Sequence, residues 1–242
     1  EKKMKYGVIC AMEEEIKALK ENLELTKQTD INGVIFYEGR IEDVEVVLVR
    51  SGIGKVEAGI TAAILITNFK VDALIHSGSA GGIGQGLAVG DVVLSAEVAY
   101  HDVDATAFGY AYGQLPEQDV ARYAADSALI EKFKQAVQDT NLNVKTGLIV
   151  TGDQFIASQE KVQAILDHFP DALCCEMEGA AIGQVAHQFH KPFIVVRAMS
   201  DTGDDEAGVS FDEFIIEAGK RSANMLINLF KMEGKQAWNK YI

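Results

Sequence analysis

Short apolar stretches with no polar alternation recur along this chain, and they restrict its fold more than any other feature. Tyr6-Gly7-Val8-Ile9-Cys10-Ala11, Ala73-Leu74-Ile75-His76 and Phe193-Ile194-Val195-Val196 are the clearest. A strand with one wet face alternates with a period of two, so a run without alternation belongs to a strand covered on both faces. Segments with helical character separate these runs. Gly54–Asn68, Ser127–Asp139, Glu160–His168, Ala180–Phe189 and a long closing stretch from Phe211 to Lys231 read as helices. Glu13–Leu19 reads as a short helix whose acidic first turn complements the positive end of the helix dipole. Val34–Arg40 and Glu45–Arg50, joined by a tight turn at Glu42-Asp43, read as strands, as do Val92–Ala99 and Val144–Val150. Strands separated by helices predict an α/β fold with a central mixed, mostly parallel sheet flanked by helices.

With 242 residues, three prolines and no Pro- or Ser-rich linker, the chain is expected to form a single domain over residues 4–242. Met4 reads as the natural start, with Glu1-Lys2-Lys3 as residues added ahead of it. A formal charge of −14 disfavours nucleic acid or an anionic membrane as partner, because both would be repelled. No stretch approaches the ~20 apolar residues that span a bilayer, and no long apolar signal segment opens the chain. Cys10, Cys174 and Cys175 are an odd set with two neighbours adjacent, a poor disulfide framework. They read as buried thiols in a reducing cytoplasm. The five histidines show no metal-ligand spacing, so neither a metal nor a cofactor is expected.

In sheets of this kind, ligands bind beyond the carboxyl ends of the strands. Met12-Glu13-Glu14-Glu15 follows the first buried run and Ser77-Gly78-Ser79-Ala80-Gly81-Gly82 the second. Thr151-Gly152-Asp153-Gln154-Phe155-Ile156 follows Leu148–Val150, Glu176-Met177-Glu178-Gly179 follows Leu173–Cys175, and Arg197-Ala198-Met199-Ser200-Asp201 follows the last run. Carboxylate, glycine, amide and aromatic groups thus converge on one rim. Plainer readings exist for some of them. The Glu triplet fits a solvated helix start, Gly78–Gly86 fits a permissive turn that matches no phosphate-loop pattern, and Phe155-Ile156 fits a core. Glu176, Glu178 and Asp201 are harder to dismiss, because they follow buried runs where an unpaired carboxylate is costly.

These rim segments closely resemble the bacterial 5′-methylthioadenosine/S-adenosylhomocysteine nucleosidases of the purine nucleoside phosphorylase superfamily. The matching stretches are AMEEEI (11–16), SGIGKVEA (51–58), SGSAGG (77–82), VGDVV (89–93), YHDVDATAFGYAYGQLP (100–116), GLIVTGDQFI (147–156), EMEGAAI (176–182), PFIVVRAMSD (192–201) and SFDEF (210–214). The resemblance implies a hydrolase that releases adenine from 5′-thio-substituted adenosines in methionine salvage. Glu15 would be the base that activates water, and Asp201 the acid that protonates the leaving adenine. Glu178 would hold the ribose hydroxyls with Met177 against the sugar, and Glu176 would join this substrate-binding set. Phe155 would stack on the base while the Ile156 backbone bonds its edge. Ser79 and Gly81 would line the water and ribose side, Ser200 would support Asp201, and Arg197 would sit near the water. Met12 and Phe211 would line a 5′-thio pocket completed by Ile53, Ala105, Phe108 and Pro116 of a second subunit in a homodimer. Relatives often carry a larger aliphatic residue at the position of Ala105, so the width of that pocket stays open.

The residue types suit the reaction. Breaking the N-glycosidic bond builds positive charge on the sugar and negative charge on the base, which an ionised and a protonated carboxyl relieve respectively. Two alternatives remain at this stage: a phosphorylase, against which the Glu13–Glu15 carboxylates argue by repelling phosphate, and a non-catalytic nucleoside binder, which needs neither base nor acid.

Overall fold

A computed structural model of the chain describes residues 3–239, so Glu1 and Lys2, read as added ahead of Met4, and the last three residues of the expected domain lie outside it. The elements run β1 (Lys5–Cys10), α1 (Glu13–Glu21), β2 (Glu24–Ile31), β3 (Val34–Ile41), β4 (Val44–Arg50), α2 (Lys55–Thr67), β5 (Ala73–Gly82) and β6 (Val92–Tyr100). They continue with β7 (Tyr123–Ala124), α3 (Ser127–Ala136), β8 (Val144–Thr151), α4 (Gln159–His168), β9 (Ala172–Glu176), α5 (Gly179–Gln188), β10 (Phe193–Asp201) and α6 (Ala207–Asn239).

The unalternating runs are explained by two cores, one on each side of the sheet. Tyr6, Val8 and Cys10 of β1 point into one core together with Leu48, Ile75, Leu19, Phe133 and Phe230. Ile9 points the other way, joining Val47, Val49, Leu74, Leu65 and Ile182. Helices α1, α3 and α6 cover the first side, and α2 and α5 the second. No helix among the described residues is long and apolar enough to cross a membrane.

The sheet is mixed, and the antiparallel share exceeds expectation: among the described strands, antiparallel ladders make up half the pairings. The parallel ones, β4–β1, β1–β5 and β5–β10, form its centre, with β6–β8 and β8–β9 beyond. β5 pairs with both β10 and β9, and β10–β6–β8–β9 completes the circuit, so five strands close on themselves while β1, β4, β3 and β2 extend outward. The strand β2 was absent from the sequence expectation because it is polar on both faces and largely exposed. It forms as the outer arm of a hairpin over Asn32-Gly33, both at positive φ (51° and 87°), and that Asn-Gly pair was its one readable signal.

Several boundaries shift. The stretch Ser77–Gly82, expected as a rim turn, continues β5, and Arg197–Asp201 continues β10. Helix α3 stops at Ala136, whereas α6 begins at Ala207 and runs to Asn239, beyond both expected ends. Cys10, Cys174 and Cys175 are buried free thiols.

Helix α6 lies against α1 at Gly219, where an added Cβ would strike the Glu14 carbonyl oxygen and lie 3.1 Å from the Glu15 Cα. Helix propensity favours Ala over Gly by about 1 kcal/mol, but these contacts are backbone and cannot rotate away. Gly219→Ala is therefore expected to destabilise the fold by about 1–3 kcal/mol net. A calorimetric midpoint that rises on this substitution would show that α1 and α6 do not pack as described.

Candidate active site

A cleft of about 690 Å3 opens at the rim where β1, β5, β8, β9 and β10 end. Its lining is mainly apolar, with a few inward carboxylates. All the expected catalytic and substrate-contacting residues of the chain face it, from Met12 and Glu15 through Ser79, Gly81, Phe155 and Ile156 to Glu176–Glu178, Arg197, Ser200, Asp201 and Phe211.

Glu15 is the third residue of α1, and it is 1% exposed while Glu13 and Glu14 face solvent. It reaches back over the helix start, where its Oε1 accepts from the Ala11 and Met12 amides at 3.1 and 2.9 Å. Its Oε2 accepts from the Ser79 amide at 2.8 Å and the Ser79 hydroxyl at 3.2 Å. The solvated-turn reading thus holds for two members of the triplet and fails for the third. Burial raises the Glu15 pKa, opposed by Arg197 and the Ser79 and Met12 donors.

Glycine in β5 makes room for these carboxylates. A Cβ at Gly78 would collide with Glu15 Oε2, and one at Gly81 would sit 2.8 Å from Asp201 Oδ1. The run Ser77–Gly82 is therefore a strand stripped of side chains where two acids approach it. Opposite, a register shift between Met199 and Asp201 of β10 interrupts the ladder and re-aims the strand end. Asp201, 3% exposed, accepts from the Gly203 amide and the Ser200 hydroxyl, both at 2.9 Å. Burial raises its pKa, and those two neutral donors oppose it.

Arg197 ties the floor together. Its Nη1 donates to the Ser79 carbonyl at 2.7 Å and lies 3.7 Å from Glu15 Oε2. Its Nη2 donates to Glu176 and, at 3.2 Å, to Glu178 Oε1. Burial works against its charge, but the surrounding carboxylates outweigh it and keep the guanidinium protonated. Burial likewise works against an ionised Glu176, yet Arg197, then His76 and the Thr151 hydroxyl, bring it down to about 2. Both Glu176 oxygens also accept from the Gly179 amide at 2.9 Å, so this side chain is turned into the wall. Glu178 is different: burial raises its pKa, Arg197 opposes, and the Glu176 charge adds to the rise. Its Oε2 accepts from the Gly54 amide at 2.8 Å.

Sequence reading missed the buried residues behind the lining. His76, fully buried, has Nδ1 2.8 Å from the Ile9 carbonyl. A carbonyl only accepts, so Nδ1 carries a hydrogen, and Nε2 lies against Arg197 Nη2, which it contacts. A histidine ending an otherwise apolar run was the one available hint. Ligand atoms of His76, Glu176 and Glu178 lie within 4.8 Å of one another, a metal-like trio among the described residues. The Arg197 guanidinium already touches all three and would repel a second cation there. Gln154 of the expected rim segment also lines the mouth, together with Val209 and Asp212, which were not anticipated.

The residues expected from a second subunit divide. Ile53 lines the cleft of its own chain, a correction to its assignment to the neighbour, because the turn before α2 folds over the same rim. Ala105, Phe108 and Pro116 are not in this cleft. Ala105 is buried, whereas Phe108 is 83% exposed and Pro116 is exposed. Phe155 and Phe211 meet edge to face with centroids 5.6 Å apart.

Residues 5–231 match the family model described as the phosphorylase superfamily. A 5′-methylthioadenosine/S-adenosylhomocysteine nucleosidase from Exiguobacterium is 48% identical over 229 residues, covering 94% of this chain and 98% of the relative. Among solved structures, the Streptococcus pneumoniae nucleosidase of the same name, with a transition-state inhibitor, superposes with a TM-score of 0.91 at 49% identity, covering 94% of this chain and 99% of that one. The S-adenosylhomocysteine nucleosidase of Streptococcus pyogenes, in complex with 5-methylthiotubericidin, gives 0.93 at 48% identity over 96% and 98%. This chain belongs to the 5′-methylthioadenosine/S-adenosylhomocysteine nucleosidase family of the phosphorylase superfamily.

Proposed function

We propose that this protein hydrolyses the N-glycosidic bond of 5′-methylthioadenosine and S-adenosylhomocysteine, releasing adenine and the 5-thio-substituted ribose. 5′-Deoxyadenosine fits the same chemistry. The observation that carries the reading is the pair of buried carboxyls, Glu15 and Asp201, each given its own glycine clearance in β5.

Water attacks the anomeric carbon while the bond to the purine breaks. Glu15, ionised, takes a proton from the attacking water, and Asp201, protonated, gives one to the imidazole-ring nitrogen of the departing base. The Ser79 hydroxyl is the longest of the four hydrogen bonds to Glu15, and its place is the natural one for the water. Glu178 accepts from the ribose diol with Met177 against the sugar, Phe155 stacks on adenine, and the Ile156 backbone meets the base edge. Met12, Phe211 and Ile53 border the 5′ substituent.

A phosphorylase reaction is disfavoured by charge. Arg197 faces Glu15, Glu176 and Glu178 together, so the attack side carries excess negative charge and repels a phosphate dianion. The active form is a homodimer in which Ala105, Phe108 and Pro116 of the second subunit complete the 5′ pocket. Exposed Ile53, Val56 and Ile60 beside the cleft, and Phe108, support that arrangement. Three free buried thiols fit a reducing cytoplasm.

In phosphate-free buffer the protein is expected to release adenine from methylthioadenosine. A strict phosphate requirement would reassign it as a phosphorylase. Glu15→Gln and Asp201→Asn should each lower kcat by about 10²–10⁴-fold with the fold retained. The kcat/KM profile should be bell-shaped. Activity is lost at the acid side as Glu15 takes up its proton, above the usual carboxylate value of about 4.3. It is lost at the alkaline side as Asp201 gives its proton up, and a profile with no group required in protonated form refutes that role. Phe108→Ala should leave the thermal midpoint unchanged but raise KM for methylthioadenosine about tenfold; an unchanged KM would confine the pocket to one chain.

A further inference from the structure

The segment carrying Phe155 and Ile156 leaves β8 without regular structure, yet base stacking demands that it be held still. Two holds lie at its ends: the Gly152 amide donates to the Glu176 carbonyl at 3.1 Å, and the Ile156 side chain is buried. Between them stands Asp153, exposed and outside the cleft lining, but bonded on both its main chain and its side chain.

The Asp153 amide donates to Asp102 Oδ2 at 3.0 Å, and its Oδ1 accepts from the Lys55 amide at 2.8 Å. Lys55 Nζ closes the ring on Asp102, donating to both carboxylate oxygens at 2.9 and 2.8 Å. Three segments, the one after β6, the start of α2 and the one after β8, are thus joined in a cycle. The preceding amide, of Gly54, donates to Glu178 Oε2 at 2.8 Å. Successive amides at the start of α2 therefore hold one carboxylate that faces the ribose and another that anchors the base-binding segment. The turn requires glycine: Gly54 has φ 101°, and a Cβ there would lie 3.1 Å from Asp153 Oδ1.

We infer that Asp153 is a positioning residue for the base subsite, and that through Asp102, Lys55 and the start of α2 it couples the Phe155–Ile156 segment to Glu178. Asp153 touches no substrate; it sets where the stacking ring stands relative to the ribose carboxylate. The inference rests on the functional reading above, in which Phe155 and Ile156 take the purine and Glu178 the sugar.

The test compares Asp153→Ala, Asp153→Asn and Lys55→Met with the unaltered protein, reading kcat and KM for methylthioadenosine, inhibition by free adenine, and the thermal midpoint. Asp153→Ala removes the acceptor, so KM and the adenine inhibition constant should both rise about tenfold, the scale of losing a carboxylate cap at a helix start, with kcat within about threefold. Asp153→Asn keeps an acceptor oxygen and should restore both constants to within about threefold of the original. Lys55→Met opens the cycle from its other side and should raise the same two constants, so the inference stays testable even where Asp153→Ala does not fold. A merely structural role would lower the apparent kcat through loss of folded enzyme and leave KM and adenine inhibition unmoved. That result, or unchanged constants in folded Asp153→Ala or Lys55→Met, overturns the inference. Failure of the unaltered protein to release adenine would instead refute the functional reading, so the two failures are distinct.

Discussion

The site depends on one buried cation. Arg197 sits on a fully covered strand, 1% exposed, with Glu15, Glu176 and Glu178 around its guanidinium. A lone charge in that position would cost several kcal/mol to desolvate, and so would each carboxylate. Only as a network do they hold, with the Ser79 carbonyl accepting from Nη1 and His76 packed against Nη2. The planar fork of arginine bridges groups from α1, β9 and the start of α5 at once, which a lysine ammonium could not do. Three carboxylates against one guanidinium leave negative charge in excess. The excess suits a sugar that becomes cationic as its bond breaks, and it is unfavourable to an anionic nucleophile.

The network also separates the carboxyls. Glu176 is nearest the guanidinium and strongly hydrogen-bonded, so it stays ionised and serves the wall. Glu15 shares the same cation, but burial outweighs it and raises the Glu15 pKa. Asp201 has only neutral donors, the Gly203 amide and the Ser200 hydroxyl, so burial dominates and favours its protonated form. The carboxyl group thus meets three electrostatic settings in one cleft, each set by what surrounds it.

Backbone design makes this crowding possible. β5 runs through the middle of the sheet and pairs on both sides, yet for Ser77–Gly82 it carries almost no side-chain bulk. The strand keeps its ladder while ceding its volume to Glu15 and Asp201. Gly219 plays the same part for α1, letting α6 press the backbone that bears Glu15 toward the strand. Glu15 is held from behind by helix packing and in front by amide donors.

Much of this was legible before the structure. Unalternating runs such as Tyr6–Ala11 required strands buried on both faces, and the two cores account for them. The segments after those runs contained Glu15, Phe155, Glu178 and Asp201, because chain order alone delivers strand ends to one rim of a sheet flanked by helices. What sequence order could not determine was where strands stop and which elements meet. Ser77–Gly82 and Arg197–Asp201 look like loops by composition, but pairing across the closed circuit draws them into strands. Nothing local separates Glu15 from Glu13 and Glu14; burial under β5 and α6 chooses it. His76 meets Arg197, and Asp153 meets Lys55, across 121 and 98 residues of chain. Such contacts arise only when distant elements pack, since a short-range pattern records which face of an element is apolar and not which neighbour will cover it.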